Sequence, residues 1–191
     1  MSSQLRQTFS NYNDYCRDMT AAITAAMTAA KKQACLILGG RAGTGKTHLA
    51  VAIAIYAMKQ GRQAVFRLVS ELLDELRGAN VDDGDKYLSL MHSLKEVPCL
   101  ILDDLSKERT TKAASDYLYQ IIDYRYRREL QTIITTNAQS IEELESWEDS
   151  RYITPIVSRI IERGAWITIA NAGNYRLVSK EREVKSNARK K

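Results

Sequence analysis

The chain has 191 residues, 45% of them hydrophobic and 27% charged, enough for one ordinary core, so a single domain is expected. Its longest uninterrupted apolar run, Leu49 to Met58, is far short of the roughly 20 residues a membrane span needs, and Met1 to Gln7 has no apolar stretch behind a basic start; no membrane partner is expected, and the protein is expected in the cytoplasm. The net charge of +5 is uneven, because six bases against two acids between Ser179 and Lys191 give that tail +4 and leave the rest nearly neutral.

Residues 1–18 are polar, without an apolar rhythm, and read as an arm on the surface. Met19 to Lys32 is alanine-rich, with Ile23 and Met27 four apart, and predicts a helix leading into the first strand. The apolar run Cys35 to Leu38 reads as a buried strand, and Gly40-Arg41-Ala42-Gly43-Thr44-Gly45-Lys46-Thr47 follows it. That octet fits the phosphate-binding loop pattern of Gly, four spacers, Gly, Lys and Ser or Thr. Its glycines let consecutive N–H groups turn around a phosphate, and a helix starting at the loop adds its positive dipole end. Lys46 is suited to the outer phosphates, Thr47 to a magnesium ion, and His48 to the first helical turn near the phosphates. His48 to Gln60, built from Leu, Ala, Ile and Met and followed by Gly61, predicts that helix and its stop.

Gln63 to Val69 predicts a second strand, with Ser70 as the cap of a helix opening at Glu71, the polar turn Asn80 to Gly84, and a second short helix over Lys86 to Leu94. Pro98 introduces Cys99-Leu100-Ile101-Leu102-Asp103-Asp104, a strand ending in two carboxylates. Ala114, Tyr117, Leu118, Ile121 and Ile122 make a helical stripe before the cluster Tyr124-Arg125-Tyr126-Arg127-Arg128, which reads either as a DNA contact or as a helix end with core tyrosines. Thr132 to Thr136 is a strand ending at Asn137; Ile141 to Trp147 and Ile153 to Arg163 are helices, and Ala165 to Ala170 is a last strand. Strands apolar enough to be buried on both faces, alternating with helices, imply an α/β fold with a parallel five-stranded sheet covered on both sides. Cys16, Cys35 and Cys99 lack paired spacing and read as buried thiols in a reducing compartment, while His48 and His92 are too isolated for a metal site.

In a parallel sheet the carboxyl ends of neighbouring strands share one edge, so Asp103 is expected beside Thr47, where it can hold magnesium. Asp104 is then the candidate to polarise an attacking water, and Asn137, leaving another strand at that edge, the candidate to position it against the γ-phosphate. ATP and Mg2+ are the expected ligands.

Gly43 to Ala50, Leu100 to Leu105, Ile121 to Tyr126, Thr132 to Asn137 and Val157 to Ile160 together strongly resemble the AAA+ ATPases of the DnaC/DnaI replicative helicase loaders, whose pattern the IstB transposition helpers share. The resemblance covers about Thr8 to Arg176. It implies a P-loop NTPase of the AAA+/ASCE type, expected over residues 19–178; in departure from larger AAA+ proteins no C-terminal helical lid is expected, and the basic stretch at 179–191 reads as a tail. It implies ATP hydrolysis, slow and stimulated by partners, in DNA replication on single-stranded DNA or on a replicative helicase, with a transposase client or a non-hydrolysing adaptor role as alternatives. It also implies self-association: Arg159, in Ser-Arg-Ile, occupies the arginine-finger position that completes a neighbour's site. Arg176, in Asn-Tyr-Arg, is the candidate second sensor, and Ser70 to Val97 the segment that meets single-stranded DNA in this clade. Asp104 stands where many AAA+ proteins have Glu. A small-molecule kinase would need an arginine-bearing lid, and a GTPase an Asn-Lys-x-Asp motif; the chain shows neither.

Overall fold

Five apolar and β-branched runs pair in parallel, and the helices between them lie on the two faces of the resulting sheet. The computed structural model describes residues 17–82, 84–106, 112–146 and 150–169. The order is α1 (Arg17–Lys32), β1 (Cys35–Gly39), α2 (Lys46–Lys59), β2 (Ala64–Leu68), α3 (Val69–Asp82), α4 (Gly84–Glu96) and β3 (Cys99–Leu105). Then come α5 (Lys112–Arg127), β4 (Gln131–Thr136), α6 (Ile141–Glu145), α7 (Ser150–Glu162) and β5 (Gly164–Thr168). The sheet order is β2-β3-β4-β1-β5, so β1 sits between β4 and β5, and the loop after it opens at the edge where β3 and β4 also end.

The central strands β1 and β4 are buried throughout, as their nearly continuous apolar sequences require, while the outer strands β2 and β5 are only partly covered. Side chains alternate between two cores. One face gathers Ile37, Leu100, Leu102 and Ile134 against Leu72, Leu76, Leu94, Leu118, Ile121 and Ile160. The other gathers Leu36, Leu38, Ile101 and Ile133 against α2, whose Leu49, Ala50, Ile53, Ala54 and Ala57 are buried in turn beneath α1. Cys35 and Cys99 are buried free thiols, and burial pushes Cys99 up to about 11.

Three sequence expectations shift. The buried face of α1 is Ala22, Ala26, Ala29 and Ala30, whereas Ile23 is only partly buried and Met27 is 38% exposed. Alanine on α1 faces alanine on α2, and the small side chains allow the two helices to pack closely. The polar stretch expected as a turn at Asn80 to Gly84 is mostly helical, because α3 runs to Asp82 and α4 starts at Gly84. Finally, α7 begins at Ser150, so Pro155 lies inside the helix, where its missing N–H removes one backbone bond. The arm at 1–18, apart from the start of α1 at Arg17, the last strand's end at Ala170, the expected absence of a lid and the basic tail fall outside the described residues.

Candidate nucleotide site

The loop between β1 and α2 is built on positive backbone angles that favour glycine: Gly40 has φ 132, Gly43 φ 82 and Gly45 φ 92. Its start is fixed by both neighbouring strands. The Gly40 N–H donates to the Ala138 carbonyl at 2.9 Å beyond β4, and the Ile169 N–H donates to the Gly39 carbonyl at 2.9 Å beyond β5. A Cβ on Gly39 would stand 2.6 Å from the Ala138 oxygen and 2.7 Å from the Trp166 ring, so the strand end tolerates no side chain there. Arg41 and Ala42 are exposed, while Thr44 is buried and donates through its hydroxyl to the Arg41 carbonyl at 2.9 Å, closing the loop on itself. Gly45 is the left-handed residue before α2, and Lys46, Thr47 and His48 form that helix's first turn.

From this turn two contacts cross to the neighbouring strands. The buried Lys46 ammonium donates to the carbonyls of Gly40 at 2.7 Å and Arg41 at 2.8 Å, and to Asn137 Oδ1 at 3.1 Å. The Thr47 hydroxyl lies 3.0 and 3.2 Å from the two carboxylate oxygens of Asp103. Asn137 Nδ2 donates onward to Asp104 Oδ1 at 3.1 Å. Asp103 is buried and Asp104 exposed. Burial pushes the Asp103 carboxyl above the usual carboxylate range, opposed by hydrogen bonds from Thr135 and Thr47 and by Lys46, and reinforced by the neighbouring Asp104 charge.

Sequence reasoning missed Thr135. It is buried in β4, donates to Asp103 Oδ1 at 2.6 Å and accepts the Asp104 N–H at 2.9 Å. The available signal was a threonine pair ending one strand beside an aspartate pair ending its neighbour.

Of the residues singled out from sequence, the structure brings together Lys46, Thr47, Asp103, Asp104 and Asn137 around the loop Gly40 to Gly45. Arg159 is on α7, where its Nε donates to Asp123 at 3.0 Å, Nη1 to the Pro155 carbonyl at 3.0 Å and Nη2 to the Tyr119 hydroxyl at 2.9 Å. Its guanidinium also lies 4.8 Å from the Tyr119 ring centre. Arg176 falls outside the described residues. The Tyr124 to Arg128 cluster is not one surface: Arg125 is fully buried, whereas Arg127 and Arg128 are exposed. Arg125 cannot offer its charge to DNA, because its donors are committed to the protein interior.

This arrangement fits a nucleoside triphosphate with magnesium. The positive-φ glycines and the lysine aimed into its own loop match a phosphate's need for N–H and cationic donors. The hydroxyl and carboxylate of Thr47 and Asp103 are the oxygen donors a magnesium ion takes along with phosphate oxygens.

A family model described as IstB-like ATP binding protein matches residues 8–183. The chain is 27% identical over 147 residues to the Insertion sequence IS232 putative ATP-binding protein of Bacillus thuringiensis subsp. berliner, covering 77% of this chain and 57% of that protein. It is 26% identical over 138 residues to the replicative helicase loader DnaC of Escherichia coli (strain K12), covering 70% of this chain and 56% of that one. The chain thus spans about half the length of the curated relatives it matches. The crystal structure of the DnaC helicase loader matches with a TM-score of 0.73 at 25% identity, over 87% of this chain and 98% of that chain. With its sheet order, loop and strand-end carboxylates joined to a match over most of its length, the chain belongs to the IstB-like ATP-binding proteins, an AAA+ group related to helicase loaders and insertion-sequence ATP-binding proteins.

Proposed function

We propose that the chain hydrolyses ATP and works as a helicase-loader-type switch in DNA replication, assembling on single-stranded DNA or on a replicative helicase and released by hydrolysis. The observation that carries this reading is the pair of cross-strand contacts, Thr47 to Asp103 and Lys46 through Asn137 to Asp104, which link a phosphate loop to two carboxylates at one sheet edge. Lys46 then leaves its loop carbonyls for the outer phosphates, and the backbone N–H groups around it fix their orientation. Thr47 and Asp103 hold magnesium, which when bound neutralises phosphate charge and orients the leaving group. Asp104 polarises the attacking water and Asn137 positions it.

In this reading Arg159 completes the site of a neighbouring subunit. Support comes from its place in Ser158-Arg159-Ile160 and its quarter-exposed position on α7. Binding of single-stranded DNA is supported by the +4 tail, whose bases suit a phosphate backbone. The segment Ser70 to Val97 offers less, since seven acids against three bases give it −4.

The test is ATP titration and single-turnover hydrolysis, with and without single-stranded DNA. Lys46→Ala is expected to lose tight ATP binding, whereas Asp104→Asn keeps it and loses hydrolysis by about 100-fold or more. Normal hydrolysis by Asp104→Asn transfers the catalytic role elsewhere; absence of hydrolysis in the unaltered chain under every condition leaves an ATP-dependent adaptor. A transposition helper is a second reading, favoured by the family match and the insertion-sequence relative. Capture by ATP-locked protein of a transposase rather than a helicase selects it.

A further inference from the structure

The pairing of β3 with β4 is regular from Cys99 opposite Gln131 to Leu102 opposite Ile134, and resumes with Leu105 opposite Thr136. Three steps on β3 therefore match two on β4, and the extra residue lies within Asp103-Asp104. In an unbroken strand these two side chains would point to opposite faces of the sheet. Here Asp104 adopts φ 61, a left-handed conformation that asparagine and aspartate tolerate better than most residues, and its side chain reaches Asn137.

The Thr135 hydroxyl sits where this irregularity needs a partner. Its one proton goes to Asp103 Oδ1 at 2.6 Å, leaving a lone pair for the Asp104 N–H at 2.9 Å. Thr135 is 1% exposed, so water is not a ready substitute. From this geometry, and resting on the hydrolysis reading above, we infer that Thr135 is a positioning residue: its hydroxyl holds Asp103 toward Thr47 and fixes the bulge that turns Asp104 toward Asn137.

The same bulge gives a physical reason for Asp at 104 in place of Glu. The left-handed backbone favours the short carboxylate, and from that position the carboxylate already meets the amide that links it to Lys46.

The test compares Thr135→Val, which keeps the shape without the hydroxyl, with Thr135→Ser, which keeps the hydroxyl. In nucleotide-free protein, the Asp104 amide is expected to exchange with solvent much faster in Thr135→Val and near the normal rate in Thr135→Ser. With ATP, Thr135→Val is expected to bind within about threefold of normal yet hydrolyse about 100-fold more slowly, since a displaced catalytic group costs rate more than affinity. Thr135→Ser restores most of the rate, and adding Thr135→Val to Asp104→Asn slows hydrolysis by a smaller factor than Thr135→Val does in the unaltered chain, because only its hold on Asp103 is left to lose. Normal hydrolysis by Thr135→Val, or a serine variant no faster than the valine one, overturns the inference. If the valine chain fails to fold, Asp104→Glu decides: at least about tenfold slower hydrolysis with ATP binding kept supports the fixed bulge, and hydrolysis as fast as the unaltered chain overturns it. If Asp104→Asn itself hydrolyses normally, the catalytic role of Asp104 falls and takes this inference with it, while ATP hydrolysis by the chain stands; if Asp104→Asn is slow and Thr135→Val normal, only the role of Thr135 is lost.

Discussion

Arg125 is a fully buried cation whose partners are one hydroxyl and four backbone carbonyls. Its Nε donates to the Thr132 hydroxyl at 2.9 Å, Nη1 to the carbonyls of Leu94 at 2.9 Å, Lys95 at 3.3 Å and Val97 at 2.7 Å, and Nη2 to the Gln131 carbonyl at 2.5 Å. The negative end of α4 thus faces the guanidinium, and the one side chain ties α4, α5 and β4 together. Burial lowers the guanidinium to about 10, which still leaves it charged at neutral pH. Arg125→Met is therefore expected to cost about 3 kcal/mol or more, because it strands buried acceptors. Arg125→Lys should recover only part of that, since an ammonium lacks the planar fork. Urea unfolding midpoints check both; a methionine variant as stable as the unaltered chain would show that the carbonyls find other donors.

At the scale of elements, the loop's geometry depends on how closely β1 can approach β5. Gly164 pairs with Cys35, and a Cβ on it would stand 1.7 Å from the Cys35 carbonyl oxygen, a clash with backbone that no side-chain rotation relieves. Since β5 leads to the Ile169 N–H that holds Gly39, displacement there reaches the phosphate loop. Gly164→Ala is expected to lose about 2 kcal/mol or more of stability and to weaken ATP binding as well. Gly78, inside α3 with nothing within 4 Å of where a Cβ would stand, provides the contrast. Gly78→Ala should stabilise by about 0.5–1 kcal/mol and leave ATP affinity unchanged. Thermal unfolding and ATP titration of the two variants separate a strand-pairing constraint from ordinary helix propensity.

The whole-molecule question is whether sites are shared between copies. Arg159 meets its own subunit through Asp123, Tyr119 and the Pro155 carbonyl, which joins α7 to α5 and gives it a local structural task whether or not it also serves a neighbour. The two tasks predict different mixtures. As a finger acting in trans, Arg159→Ala binds ATP normally and hydrolyses it poorly, and mixing it with Lys46→Ala restores part of the activity, because some interfaces then pair an intact site with an intact arginine. As a purely local brace, Arg159→Ala loses about 1 kcal/mol of stability and regains nothing on mixing. Hydrolysis rates of the mixture, measured where light scattering shows co-assembly, decide between them; no rescue returns Arg159 to the local role.

The fold class and most of the candidate site were legible in the order of residues alone, for a physical reason. A phosphate loop is a local object, written in consecutive glycines, a lysine and a threonine, and strand-end carboxylates are local too. Once the strands are known to be parallel, their carboxyl ends share an edge, so Thr47, Asp103, Asp104 and Asn137 had to converge there. Folding settled what depends on contacts across distant parts of the chain. The alanine face of α1 was chosen by the closeness of α2. Arg125 was drawn out of a surface-like cluster into the interior by carbonyls some 30 residues away. The role of Thr135 follows from an extra residue in a neighbouring strand, which the threonine pair in its own Thr-Ile-Ile-Thr-Thr sequence does not specify until the two strands are paired. Local chemistry is legible in one dimension, whereas a partner supplied by another strand or helix exists only after the chain has folded.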